Sequence, residues 1–180
     1  LGFAFYGDAA QLADPEATLL DVVRLAGEEP KAFRMLLAWL DKVRDLIHVE
    51  RARVLAGDLT GDALIALGVL ALKQVKSGDR RFSILSDLSK EKLSKEPPHN
   101  SCFAKQADAF LIEKYGADPE LLEFGIHAQE IRSADQKKIL NLEKILTQNS
   151  WLKFRALIGA NFRADIAFVM ARRLARNPYQ

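Results

Sequence analysis

EPKAFRMLLAWLDKVRDLIHVERARVLA, residues 29–56, is the longest periodic stretch of the chain and decides its fold class. Phe33, Leu36, Leu37, Leu40, Val43, Ile47 and Val54 recur at helical spacing, and Arg34, Asp41, Lys42, Arg44 and Asp45 fill the opposite face. Pro30 suits a first helical position. The pattern predicts one long amphipathic helix from Pro30 to about Ala56, with partners along its side.

Working outward, Asp14-Pro15-Glu16 opens a helix with a cap, a pre-set first residue and an acid near the positive end of the dipole. Leu19, Leu20, Val22, Val23 and Ala26 give it one apolar side, and Gly27 closes it. On the other flank, residues 57–62 (GDLTGD) punctuate, and Ala63 to Lys76 is apolar nearly all round, which predicts the centre of a bundle. A shorter helix follows from Arg80 or Arg81 to Leu88. Residues 89–100, SKEKLSKEPPHN, are charged and run into a double proline, the composition of a linker.

Beyond it, Cys102 to Tyr115 carries Phe103, Ala107, Phe110 and Leu111 before the stop at Gly116. Asp118-Pro119-Glu120 repeats the opening used at Asp14 and begins a short helix through Phe124. Ser133-Ala134-Asp135-Gln136 has the form of a capping box ahead of Ile139, Leu140, Leu142, Ile145 and Leu146. Sustained apolar/polar alternation and hairpin dipeptides between β-rich runs are missing. The expectation is an all-α, irregular multi-helix bundle, either around one core or as two helical lobes, residues 1–88 and 101–180, joined by 89–100.

With 49% hydrophobic residues, 180 residues are enough for one substantial core. The single Cys102 excludes an internal disulfide and matches the usage of a reduced, cytoplasmic compartment. No apolar run approaches the length of a bilayer span, so no membrane partner is expected. The net charge of +2 hides an asymmetry: residues 1–50 hold nine acids against five bases, whereas the remainder holds 21 bases against 15 acids. Such asymmetry points to an anionic partner for the basic end.

Motifs for chemistry are sparse. The sequence lacks a Walker-type loop, Gly-x-Ser-x-Gly, Gly-x-Gly-x-x-Gly, His-Glu-x-x-His and Cys-x-x-Cys. His99 with Cys102, and His127 with Glu130, have two-ligand spacing, but loop polar residues account for them equally, and neither a metal nor a cofactor is expected. Cys102 reads as a partly buried structural thiol, and Trp39 and Trp151, among apolar neighbours, read as core. The compact polar cluster worth inspecting for a small-molecule or catalytic site is His48, Glu50, Arg51 and Arg44.

The last stretch, Ser150 to Gln180, holds six basic residues, Lys153, Arg155, Arg163, Arg172, Arg173 and Arg176, against the single acid Asp165. Gly159 and Asn161 predict two helices, the first ending in a left-handed cap and the second running from Phe162 to about Arg176 with Ile166, Val169, Met170 and Leu174 inward. Asn177-Pro178-Tyr179-Gln180 has the composition of a further helix start. A short amphipathic helix, a small turn, Asn-Phe-Arg-Ala-Asp-Ile at 161–166, and then Asn-Pro-Tyr-Gln resemble the opening helices of winged helix-turn-helix regulators of the bacterial ArsR and MarR kinds. Arg163 and Ile166 match their Arg-x-x-Ile pattern. The resemblance covers about 30 of 180 residues; it implies that the DNA-reading helix and wing lie past Gln180, so no base-reading residue carries over.

The leading expectation is therefore a non-enzymatic helical sensor or oligomerisation region of a DNA-binding transcriptional regulator, with the six bases of the last stretch nearest the DNA. The alternative is a helical scaffold for a protein partner or a second copy of the chain, with no nucleic-acid role. The third is a small-molecule-binding or enzymatic helical domain.

Overall fold

Gly61–Lys76 (α4) is the axis of the molecule, because a helix with no polar side can be satisfied only inside a bundle. It buries Leu64, Ile65, Leu67, Val69 and Leu70. The computed structural model describes residues 13–97, 101–105 and 109–172. Gly78, at φ +100°, turns the chain so that Ser83–Leu93 (α5) folds back along α4. Pro15–Arg24 (α1) lies against α4 with Leu19, Leu20 and Val23 inward, and Pro30–Val43 (α2) adds Phe33, Leu36, Leu37, Trp39 and Leu40 to the same core. Val49–Leu55 (α3), Cys102–Lys105 (α6), Ala109–Tyr115 (α7), Pro119–Leu122 (α8), Leu142–Gln148 (α9), Ser150–Ile158 (α10) and Phe162–Ala171 (α11) complete the series. Among the described residues there is no sheet, only an isolated antiparallel bridge between Ala117 and Gln129, and no helix is long and apolar enough to cross a membrane. The all-α expectation holds.

Gly68 explains an otherwise costly glycine in the middle of α4. A Cβ there would stand 2.1 Å from the tip of the Phe124 ring, so the glycine forms a socket in which Phe124 seats the segment after α8 directly on the helix backbone.

Three expectations from sequence need correction. The helix expected from Pro30 to Ala56 breaks: α2 ends at Val43, Arg44–Leu46 forms a 3-10 turn, and Ile47 is extended before α3 begins. Tertiary donors and acceptors take the backbone groups at the break. The Leu46 carbonyl accepts from Arg155 Nη1 at 3.1 Å, the His48 N–H donates to Glu16 Oε1 at 3.0 Å, and the Arg44 carbonyl accepts from Arg81 Nη2 at 3.0 Å. The apolar period runs on regardless because Ile47, Val49 and Ala52 still turn into the core.

The capping box at 133–136 does not start a long helix. Asp135 caps a single 3-10 turn, Gln136–Lys138, and the chain is extended at Ile139. Gln136 reaches across to the Ala38 carbonyl and Asp41 instead of back to its own turn, and Lys42 Nζ gathers the carbonyls of Gln136, Ile139 and Leu140. The helix starts at Leu142, capped by Asn141.

The stretch 89–100 is not a linker throughout. Ser89 to Leu93 continues α5, with Ser89 buried and its hydroxyl donating to the Leu85 carbonyl; Lys92 donates to the Gly57 and Leu59 carbonyls, and Glu96 accepts from the Gly61 N–H. Residues 98–100, His99 among them, lie outside the described residues. One hydrophobic cluster spans both sides of this stretch, from Leu19 to Leu152, so the described chain folds around one core rather than two lobes.

Candidate docking surface and the charged network beneath it

The α10–α11 hairpin is set by local signals. Asn149 caps α10 by accepting from the Leu152 N–H and ties it to the other end of the chain by donating to the Ala13 carbonyl at 3.2 Å. Gly159, at φ +102°, supplies the left-handed turn, and Asn161 caps α11 by accepting from the N–H groups of Arg163 and Ala164. The two-helix expectation holds to this point.

The side that α11 buries is the reverse of the expected one. Ala164, Asp165 and Phe168 face inward, while Phe162 (64% exposed), Ile166 (58%) and Met170 (69%) stand outward at intervals of four residues. Phe168 stacks on Trp151, centroids 4.7 Å apart, and meets Phe154 edge-on at 6.0 Å. The deciding group is Asp165. Its carboxylate accepts from Trp151 Nε1 at 2.6 Å and Arg155 Nε at 2.8 Å, and lies 3.2 Å from His48 Nδ1, so that ring nitrogen carries the proton of the contact. A carboxylate with three donors waiting on one side turns the helix towards them, and the apolar stripe is left facing out.

Beneath α11, Arg155 joins the hairpin to the body of the bundle. Its side chain is fully buried and its fork meets the equally buried Glu16 in a two-point contact, Nη1 to Oε1 at 2.5 Å and Nη2 to Oε2 at 2.8 Å. Arg51 completes the network by donating to Glu16 Oε2 at 2.8 Å and to both oxygens of Asp14, while its guanidinium lies over the Trp151 ring at 5.2 Å. Burial by itself would raise the Asp165 carboxyl, but the hydrogen bonds from Arg155 and Trp151 outweigh it and hold the group below the usual carboxylate range. Asp14 is lowered in the same way, burial being outweighed by Arg51 and the helix N–H groups.

The cluster of His48, Glu50, Arg51 and Arg44 expected from sequence is therefore dispersed. His48 and Arg51 belong to the network, Glu50 is exposed beside Arg53 at 3.8 Å, and Arg44 donates to the Ser77 carbonyl. The carboxylates of Asp14, Glu16 and Asp165 each accept from two or more groups, and Thr18 Oγ1 donates to the Asp14 carbonyl at 2.7 Å, so the arrangement ties α1, α3, α10 and α11 together. Among the described residues no group of three or more His, Cys, Asp or Glu could hold a metal ion. His127 is exposed, and Glu130 is paired with Arg132 at 2.9 Å. Burial, then Asp62, pushes the Cys102 thiol up to about 11, the opposite of an activated nucleophile.

The basic residues expected to contact nucleic acid divide. Lys153, Arg163 and Arg172 are exposed; Arg155 is removed from the set by its burial against Glu16 and Asp165; Arg173, Arg176 and the helix-start signal at 177–180 lie outside the described residues. A mirror of the network stands on the other side of the core. Asp118 caps α8 and accepts from the Ile131 N–H at 2.7 Å, and Lys73 Nζ donates to both Asp118 and Glu120 at 3.0 Å. Two clefts flank the 130–132 segment, one of about 400 Å³ over Phe33, Phe103 and Leu121, the other of about 380 Å³ over Asp41, Lys73, Gln74 and Glu120.

Sequence reasoning missed Glu16, Asp14, Asp165 and Trp151 as a set, and Glu16 with Asp165 could have been suspected. Each is a carboxylate at an early helical position whose neighbours are otherwise apolar, and a second acid of the same form stands in the repeated Asp-Pro-Glu at 118–120. No family model, no curated protein and no solved structure matches this chain.

Proposed function

We propose that the chain is a non-enzymatic helical interaction module that receives a partner protein on the outward face of α11. The observation that carries this reading is the reversed amphipathicity of that helix. A surface helix ordinarily turns its apolar stripe to the core. Here a buried carboxylate network leaves Ile166 and Met170 in solvent, with Phe162 still 64% exposed although its ring meets His48 edge-on at 4.6 Å, so three large apolar residues line one open helix side, a surface suited to an interaction site.

The test places a photo-reactive residue at position 166 of the full protein in its native cells, with a control at the exposed Lys31. The expected result is a discrete cross-linked species from position 166 only, lost when Phe162 and Met170 are changed to Gln, with the free energy of unfolding of that Gln variant in urea unchanged within about 0.5 kcal/mol. Equal labelling from both positions, or a Gln variant that unfolds readily, removes the docking reading.

A second reading keeps the chain as the sensor or oligomerisation region of a DNA-binding regulator. It is supported by the exposure of Lys153 and Arg163, neither of which has an ion-pair partner among the described residues. It expects the full protein to bind duplex DNA with an affinity whose logarithm falls linearly with log salt, and to lose about one unit of slope for each cation replaced. Absence of binding to duplex DNA at low salt removes it.

A further inference from the structure

Resting on the docking reading of this hairpin, we infer that the occupant of the α11 face is an amphipathic helix of a partner protein whose apolar stripe is flanked by Asp and Glu. Three features of the surface select it. The stripe is a convex helix side with one large apolar residue per turn, Phe162, Ile166 and Met170, spanning about 12 Å. Such a row of i, i+4 side chains packs into the grooves of another helix and offers no free backbone to an added strand. Arg163 projects about 100° from Phe162 and about 20° from Met170, which puts a cation on the edge of the stripe.

Charge then chooses among helices. Between residues 150 and 172 every exposed charged side chain is positive, Lys153, Arg163 and Arg172, because the single acid of that span, Asp165, is consumed by His48, Trp151 and Arg155 on the far side of α11. A second copy of the chain docked symmetrically would set one surface whose exposed charges are all positive against another, and like charges across an interface weigh against that pairing. An acid-flanked helix meets an apolar row with apolar side chains and a basic edge with carboxylates.

The experiment selects helix-stabilised peptides of about 16 residues, with a fixed Leu stripe and randomised flanking positions, on the wild-type protein, with the Phe162→Gln, Ile166→Gln, Met170→Gln variant as counter-selection. The expected result is enrichment of Asp and Glu over Lys and Arg at the flanks. A selected peptide should bind the Arg163→Glu variant roughly tenfold more weakly, and its Lys-flanked counterpart should prefer that variant. Selection of neutral or basic flanks, no selection at all, dimerisation of the protein through the stripe, or sedimentation with anionic phospholipid vesicles in place of peptide binding each overturns the inference. If the cross-link from position 166 persists while acidic flanks are not selected, the occupant is wrong and the docking surface stands; loss of both removes the two together.

Discussion

Arg155→Met lowers the free energy of unfolding by about 3–5 kcal/mol, because it takes the two-point partner from a fully buried Glu16, leaving that carboxylate with Arg51 and the His48 N–H alone, and removes a donor from Asp165 as well. That is a large share of the roughly 5–15 kcal/mol that holds a domain folded, and for a chain of this length it corresponds to a fall in melting temperature of roughly 6–20 °C. Urea denaturation followed by circular dichroism measures it. The loss is not the net worth of the ion pairs, since burying charges has already cost desolvation. The variant that replaces Glu16, Arg155 and Asp165 together with apolar residues of similar volume should therefore be more stable than Arg155→Met alone. A single substitution costing under 1 kcal/mol would mean that water enters the site and that the network is not the anchor of α10 and α11.

Asp118→Ala should cost about 3 kcal/mol, of which roughly 1 is the lost α8 cap and roughly 2 the charged hydrogen bonds given up by Lys73 and the Ile131 N–H. A double-mutant cycle with Lys73→Met separates the parts: the capping loss persists without Lys73 and the pairing loss does not. The same carboxylate sets the response to acid. Burial would raise Asp118, yet the Glu120, Ile131 and Lys73 interactions carry it below its ordinary value. A carboxyl lowered in the folded state stabilises fully above the unfolded value, near pH 4, and loses that contribution as pH falls through the folded one. Wild-type protein should thus weaken steeply below about pH 4, and Asp118→Ala should show a shallower acid slope. An unchanged slope would place the acid sensitivity elsewhere, in Asp14 or Asp165.

What was legible in the sequence is what local physics decides. The caps at Asp14, Asp118 and Asn161, the Gly159 turn and the interior position of α4 follow from residue type and spacing alone. What was not legible depends on partners far along the chain. The break after Val43 exists because Arg155 and Glu16, more than 25 residues away on either side, claim the Leu46 carbonyl and the His48 N–H, and no window of neighbouring residues contains them. The orientation of α11 was misjudged for the same reason: apolar count favours Ile166 and Met170 inward, but one carboxylate with buried donors outweighs the stripe. Gly68 carried a signal, a glycine inside a helix, but nothing local said that an aromatic ring would fill the space.

The two Asp-Pro-Glu helix starts divide labour in the same way, Asp closing its own helix and Glu reaching a cation on another. For Glu16 there are two such cations, Arg51 at 35 residues and Arg155 at 139. The site over the first helix of the described chain is therefore completed late: on a ribosome adding roughly 5–20 residues each second, Arg51 follows Glu16 within about 2–7 s, but the second guanidinium arrives only after about 7–28 s. Closure at such separation is the slow kind. It gives the chain a long interval in which Leu19, Leu20 and Val23 are bound only to what has already emerged, and makes the arrival of α10 the event that ends it.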